Sequence, residues 1–246
     1  MKIILILIIA SYSLQIEAQS AYDIVKKSDD KIRGTSSYAK IKIKAIRPSW
    51  SKEMTVKAWE KNKDYSIALV VSPAKEKGIV FLRRKKEVWN YMPSIERVVK
   101  LPPSMMTQGW MGTDLTNDDM IKQSSILIDY THKLVGEEKV ANANCWKIEL
   151  TPKENAAVVW GKILLWIDKN NYNQLKGEYY DEDGFLVNTI IASDIKTFSG
   201  KKLPSHMEFI PEEKPGNKTI IDYLEWKFNI KIPDKYFTTR FMKRLR

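Results

Sequence analysis

Period-two alternation governs most of the chain. Residues 38–46 read Tyr-Ala-Lys-Ile-Lys-Ile-Lys-Ala-Ile, which sets Lys40, Lys42 and Lys44 on one side and Ile41, Ile43 and Ala45 on the other. This is the pattern of a half-solvated antiparallel strand, and Pro48 ends it. Residues 54–59 alternate again, with Met54, Val56 and Ala58 against Thr55 and Lys57. Residues 65–72 form a more continuous apolar strand, and short strands follow at 78–83, 87–91 and 97–101. The pattern resumes at 132–140, 145–151, 162–168, 175–180, 186–195, 203–211 and 218–230, with Asp183-Gly184 as a hairpin turn between two of these. Two stretches depart from it. Near the start, Ala21, Ile24, Val25 and Ser28 recur at helical spacing opposite Lys26, Lys27, Asp29 and Asp30, and Gly34 ends that helix. From 102 to 130, Pro, Met, Gly, Asp and Asn occur without period two; Thr116 as N-cap, with Asp118 and Asp119 after it, predicts a short helix.

Consecutive strands joined by short turns favour a meander. A sheet of about ten or more strands does not stay flat and curls into a barrel or half-barrel. The fold class is therefore mostly β with a few helices, in which the first helix and the 102–130 insertion are free to cover the open face. No linker or internal repeat interrupts residues 19–246, which are expected to form a single domain.

The amino terminus has a different character. Lys2 precedes the unbroken apolar run 3–10, and Ile16-Glu17-Ala18 follows polar residues. This is the layout of a secretory leader spanning 1–18, cleaved after about Ala18. An uncleaved anchor is the alternative, but the run stops well short of the roughly 20 residues that span a bilayer. Export places the mature chain in the periplasm. No Cys follows the apolar run as a lipidation site. The single cysteine, Cys145, lies in a strand-like run and is expected to be a small buried core residue. The formal charge of +11 makes the surface basic. With an export leader and dispersed lysines, nucleic acid is a poor partner; the lysines either meet anionic headgroups and acidic proteins, with transient contact at a membrane surface, or keep the surface solvated.

Catalytic signals are sparse. His132 and His206 belong to no metal-binding spacing, there is no Gly-x-Ser-x-Gly elbow and no phosphate loop, and the carboxylates lack calcium-loop spacing. No catalytic residue, metal or cofactor is expected, and the chain is not read as an enzyme. Apolar bulk is abundant instead. There are eight tryptophans, with Trp89, Trp146, Trp160, Trp166 and Trp226 in or beside strands. In 162–168, Ile163, Leu165 and Ile167 take one face while Leu164 and Trp166 take the other, so both faces are apolar. The insertion adds Met105, Met106, Trp110, Met111 and Met120. Methionines suit surfaces that adapt to variable apolar ligands. These side chains either plug a core or line a cavity, and a half-barrel of this size can enclose an apolar ligand.

Tyr91-Met92-Pro93-Ser94, then Arg97-Val98, then Trp110-Met111-Gly112-Thr113-Asp114-Leu115-Thr116-Asn117-Asp118-Asp119 resembles the signature of exported LolA-like, outer-membrane lipoprotein-sorting proteins. The ending Tyr236-Phe237-Thr238-Thr239-Arg240, with Lys243-Arg244, is similar to how that family closes. The resemblance implies a curved antiparallel sheet, an unclosed barrel, with a helical lid over an apolar cavity. It implies a carrier for acyl chains of lipoproteins or lipids, served by an inner-membrane transporter and an outer-membrane acceptor. A sensor or adaptor beside a membrane transporter or signalling protein is the alternative. The expected lipid-binding residues are Trp89, Tyr91, Trp146 and Trp166 on strands and Met105, Met106, Trp110 and Met111 on the lid. Pro93, Gly112 and Asp114 are read as structural: Gly112 for a turn, Asp114 for a cap or backbone hydrogen bond.

Overall fold

The computed structural model describes residues 19–106, 108–117, 125–156 and 158–245. The expected leader, Met120, and Asp118 and Asp119 of the expected short helix lie outside the described residues. The chain opens with helix α1 (Ala21–Ile32), whose N-cap Ser20 accepts a hydrogen bond from the Asp23 N–H at 3.1 Å. Just past the helix, Gly34 takes φ +149°, and a Cβ there would stand 2.9 Å from Asn229 Oδ1, so the chain turns into the sheet at a residue without one.

Thirteen strands then form one antiparallel sheet. The first six are β1 (Ser36–Arg47), β2 (Trp50–Lys61), β3 (Tyr65–Ser72), β4 (Val80–Arg84), β5 (Glu87–Met92) and β6 (Arg97–Lys100). The remaining seven are β7 (Tyr130–Val140), β8 (Ala143–Pro152), β9 (Lys162–Asp168), β10 (Gln174–Tyr180), β11 (Leu186–Phe198), β12 (Lys201–Pro211) and β13 (Lys218–Phe228). The chain ends in helix α2 (Thr239–Met242).

The spatial order is β6-β5-β4-β3-β2-β1-β13-β12-β11-β10-β9-β8-β7. Each half is the expected meander. The halves join through β1 and β13, first strand against last, and the sheet does not close: its free edges are β6 and β7, which are consecutive in sequence. Of the chain between these edges, the described stretch around Trp110–Leu115 lies on the inner face of the sheet.

Side-chain alternation becomes two differently covered faces. On the inner face, α1 packs Ala21, Ile24 and Val25 against Ile148, Leu150, Ile163, Leu165 and Ile167 of β8 and β9. In the other half, Trp110 packs on Ile43, Met54, Val56, Ala68, Val70 and Ile221. On the outer face of β3 and β4, Ile67, Leu69, Val80 and Leu82 are covered by the carboxy-terminal segment through Ile232, Phe237, Met242 and Leu245. Lys40, Lys42 and Lys44 point away from inward-facing Ile43 and Ala45, on the outer side of the sheet, as the alternation predicts.

Candidate functional site

The concave face encloses a cavity of about 400 Å3. This lies within the range of small-molecule sites. Its depth has a simple cause. Ala39, Ala58 and Ala68 are cross-strand neighbours on β1, β2 and β3, all facing inward. Three methyl groups in a row leave space where larger side chains would fill the core. Ile163, Leu165 and Ile167 of β9 form the opposite wall, Met207 and Phe209 of β12 extend the floor, and Val25 and Ile32 of α1 close one side.

The other cover is the segment around 110–115. Trp110 is 3% exposed, its ring 5.2 Å from that of Phe81. The turn beneath it takes φ +54° at Met111 and +82° at Gly112, a left-handed geometry that glycine adopts without strain. Thr113 Oγ1 donates to the Trp110 carbonyl at 2.6 Å. The segment is fastened to the sheet by Asp114. Its carboxylate accepts from Thr219 Oγ1 at 2.6 Å and from Arg47 at 3.1 Å, and its N–H donates to Thr219 Oγ1 at 2.9 Å. Arg47 also donates to the Gly112 carbonyl at 2.7 Å, and Lys52 to the Met111 carbonyl at 3.2 Å. Trp110, Asp114 and Leu115 all reach the cavity wall.

Charge is concentrated where the end of α1 meets β1 and β2. Asp29, Arg33, Ser37 and Glu60 line the cavity there. Arg33 Nε donates to Asp29 at 2.8 Å, and Lys63 reaches the other Asp29 oxygen at 3.1 Å. Next to them Tyr223 stacks on Trp226, centroids 4.1 Å apart and planes 8° off parallel, and both rings line the cavity. Burial raises the Tyr223 phenol and nearby Glu60 adds to the effect, so it stays protonated. On the opposite wall burial pushes the Tyr130 phenol up to about 12, and its hydroxyl donates to the Trp160 carbonyl at 3.2 Å.

The residues singled out from sequence scatter over this architecture. Trp110 lines the cavity. Met111 packs on the same inner cluster beside it. Trp146 is on the inner face but sits against Tyr172 near the start of α1, outside the lining. Trp89 and Tyr91 lie on the outer face, in the cluster under the carboxy-terminal segment. Trp166 is also on the outer face: it packs with Cys145, its indole N–H donates to Glu138 at 2.9 Å, and Lys147 and Lys176 lie over its ring. The physical reason is strand parity. Leu165 faces the cavity, so Trp166 cannot. Met105 is exposed, and Met106 is half-buried without reaching the lining. Pro93, in the β5–β6 turn, packs against Gly78, where a Cβ would lie 3.3 Å away. Cys145 is fully buried. The missed lining is that of the small inward residues. Ala39 and Ala58 stood in the alternating runs, and smallness at inward positions was the available signal.

Among the described residues no group of three or more His, Cys, Asp or Glu side chains is placed to hold a metal ion, and no helix is long and apolar enough to cross a membrane.

An unclosed antiparallel sheet with helices is the LolA-like architecture, and solved structures share this fold. A LolA superfamily protein from Nitrosomonas europaea superposes with a TM-score of 0.74 at 26% identity, over 91% of this chain and 100% of that one. A DUF1329 family protein from Desulfovibrio piger gives 0.81 at 24% identity, over 90% and 97%. A putative outer membrane lipoprotein-sorting protein domain from Vibrio parahaemolyticus gives 0.77 at 21%, over 91% and 98%. No curated protein matches the sequence. Residues 62–244 match the model of a family described as an uncharacterized protein, and the chain belongs to that family.

Proposed function

We propose that the protein is exported through its 1–18 leader and carries acyl chains of lipoproteins or lipids across the periplasm in the concave cavity. The observation that carries this reading is the hollow itself: an aligned row of alanines facing a wall of branched aliphatics, lidded by α1 and the Trp110 segment. Each methylene entering it gains about 0.8 kcal/mol, so a long chain is held without covalent chemistry. Loading and release follow movement of the Trp110 segment, which is tied to the sheet through Arg47–Asp114–Thr219 and through the bonds of Arg47 and Lys52 to the Gly112 and Met111 carbonyls. An inner-membrane transporter as donor and an outer-membrane acceptor complete the cycle. The lysine-bearing outer face of β1 favours passing contact with anionic headgroups.

The test is native mass spectrometry of the mature protein from the periplasm, followed by exchange of the bound lipid for a labelled lipopeptide. A stoichiometric acyl-containing adduct is expected. Ala58→Phe, which fills the hollow while keeping the strand, is expected to abolish uptake with the fold intact. Full uptake by a folded Ala58→Phe protein would move the ligand out of this cavity.

A further inference from the structure

The charged end of the cavity contains a feature that holding an acyl chain does not require. Between β1 and β13 the register slips. Lys40 pairs with Glu225 but Ile41 pairs with Tyr223, which leaves Leu224 as an extra residue, 51% exposed. Residues three apart on a regular strand point to opposite faces. This bulge turns Tyr223 and Trp226 to the same side, and they stack face to face within the cavity wall. Bulges recur where a strand must re-aim a side chain at a site.

Glu60 stands beside that stack. It pairs with Ser37 on β1, and the next inward position of β1, Ala39, pairs with Trp226. Two strand residues span about 7 Å, and Ala39 has no side chain beyond Cβ to separate acid from indole. Glu60 lines the cavity yet has no hydrogen bond or ion pair within 4 Å among the described residues. Of the cations nearby, Arg33 and Lys63 hold Asp29, and Arg83, which donates to Ser66 Oγ at 3.4 Å, acts on Glu60 through space without forming an ion pair with it. The Tyr223 hydroxyl likewise has no hydrogen-bond partner among the described residues. A carboxylate in the same wall as a stacked aromatic pair can recognise an ammonium group, through charge and through the quadrupole of the ring it meets.

Resting on the carrier reading, we infer that Glu60, Tyr223 and Trp226 form a headgroup subsite that selects acyl ligands bearing an amine, the ammonium seated between Glu60 and the aromatic pair and the chain running along Ala39, Ala58 and Ala68.

The experiment compares two probes with the same acyl chain and the same phosphate, lysophosphatidylethanolamine and lysophosphatidylglycerol, titrated into delipidated mature protein by calorimetry. They differ in the headgroup beyond the phosphate, an ammonioethyl group in one and an uncharged dihydroxypropyl group in the other. The ethanolamine lipid is expected to bind about tenfold more tightly, the range of a desolvated cation–aromatic contact. Glu60→Gln, which keeps the shape and removes the charge, is expected to bring the two affinities together. Trp226→Leu is expected to reduce the preference while the glycerol lipid still binds. Equal affinities in the wild type, or a preference that survives Glu60→Gln, would overturn the subsite and leave the carrier standing. Binding of neither lipid would overturn both.

Discussion

Asp114 carries more than its size suggests. Its side chain is 6% exposed and that of Arg47 is 12% exposed, and between them they fix the backbone at Gly112 and the hydroxyl of Thr219. Removing one partner of a buried pair leaves the other charge uncompensated, which costs about 3 kcal/mol or more. Asp114→Ala is therefore expected to lower stability in urea denaturation by about that amount; a loss under about 0.5 kcal/mol would mean the latch is not under tension. His206 makes a second residue-scale prediction. Its Nδ1 lies 2.7 Å from Asp222 and its Nε2 3.4 Å from Glu208. Burial opposes its charge, but the hydrogen bonds to the two carboxylates outweigh burial and hold its pKa above the ordinary 6.5. The protonated ring thus stabilises the fold fully below pH 6.5, and that contribution is lost as pH rises through the raised folded value. His206→Gln should cost more stability at about pH 6 than at about pH 8, compared by denaturation at both; a gap that widens on raising pH would contradict the assigned pairing. The motif Met111-Gly112-Thr113-Asp114 was visible in the sequence as a unit. Its anchor was not, because Arg47 and Thr219 lie far from it along the chain and meet it only in space.

At the scale of elements, alternation located every strand of the sheet, with ends that moved by a few residues. It also separated the two sides of β9 correctly, Ile163, Leu165 and Ile167 from Leu164 and Trp166. It could not say which side is concave, because both are apolar and the deciding fact is which side another element covers. The carboxy-terminal segment makes the same point. Residues 236–244 stood out as a family ending, but their work is to roof the outer face of β3 and β4, hence the apolar character of Trp89 and Tyr91 there. Two outcomes follow from these placements. Trp166→Ala should cost about 3–5 kcal/mol in denaturation while lipid uptake by the folded fraction is unchanged; loss of uptake at full stability would return Trp166 to the ligand path. Ending the chain after Asn229 uncovers Ile67, Leu69 and Leu82, an apolar patch of the kind that drives association. Size-exclusion chromatography is expected to show aggregation, and a monodisperse truncated monomer would deny the segment its role.

For the molecule as a whole, the strand order joins two local meanders through a single long-range pair. Thr35 and Asn229, which share a hydrogen bond beside that junction, are 194 positions apart. Hairpins within each half close short loops and zip early, whereas β1 on β13 waits on a far less local contact. The floor of the cavity straddles this seam: Ala39 and Ile41 come from β1, Ile221, Tyr223 and Trp226 from β13. The pocket therefore forms only when this seam closes. A chain still emerging at its carboxy end holds two half-sheets and no hollow between them, so the cavity arrives all at once, with the final strand.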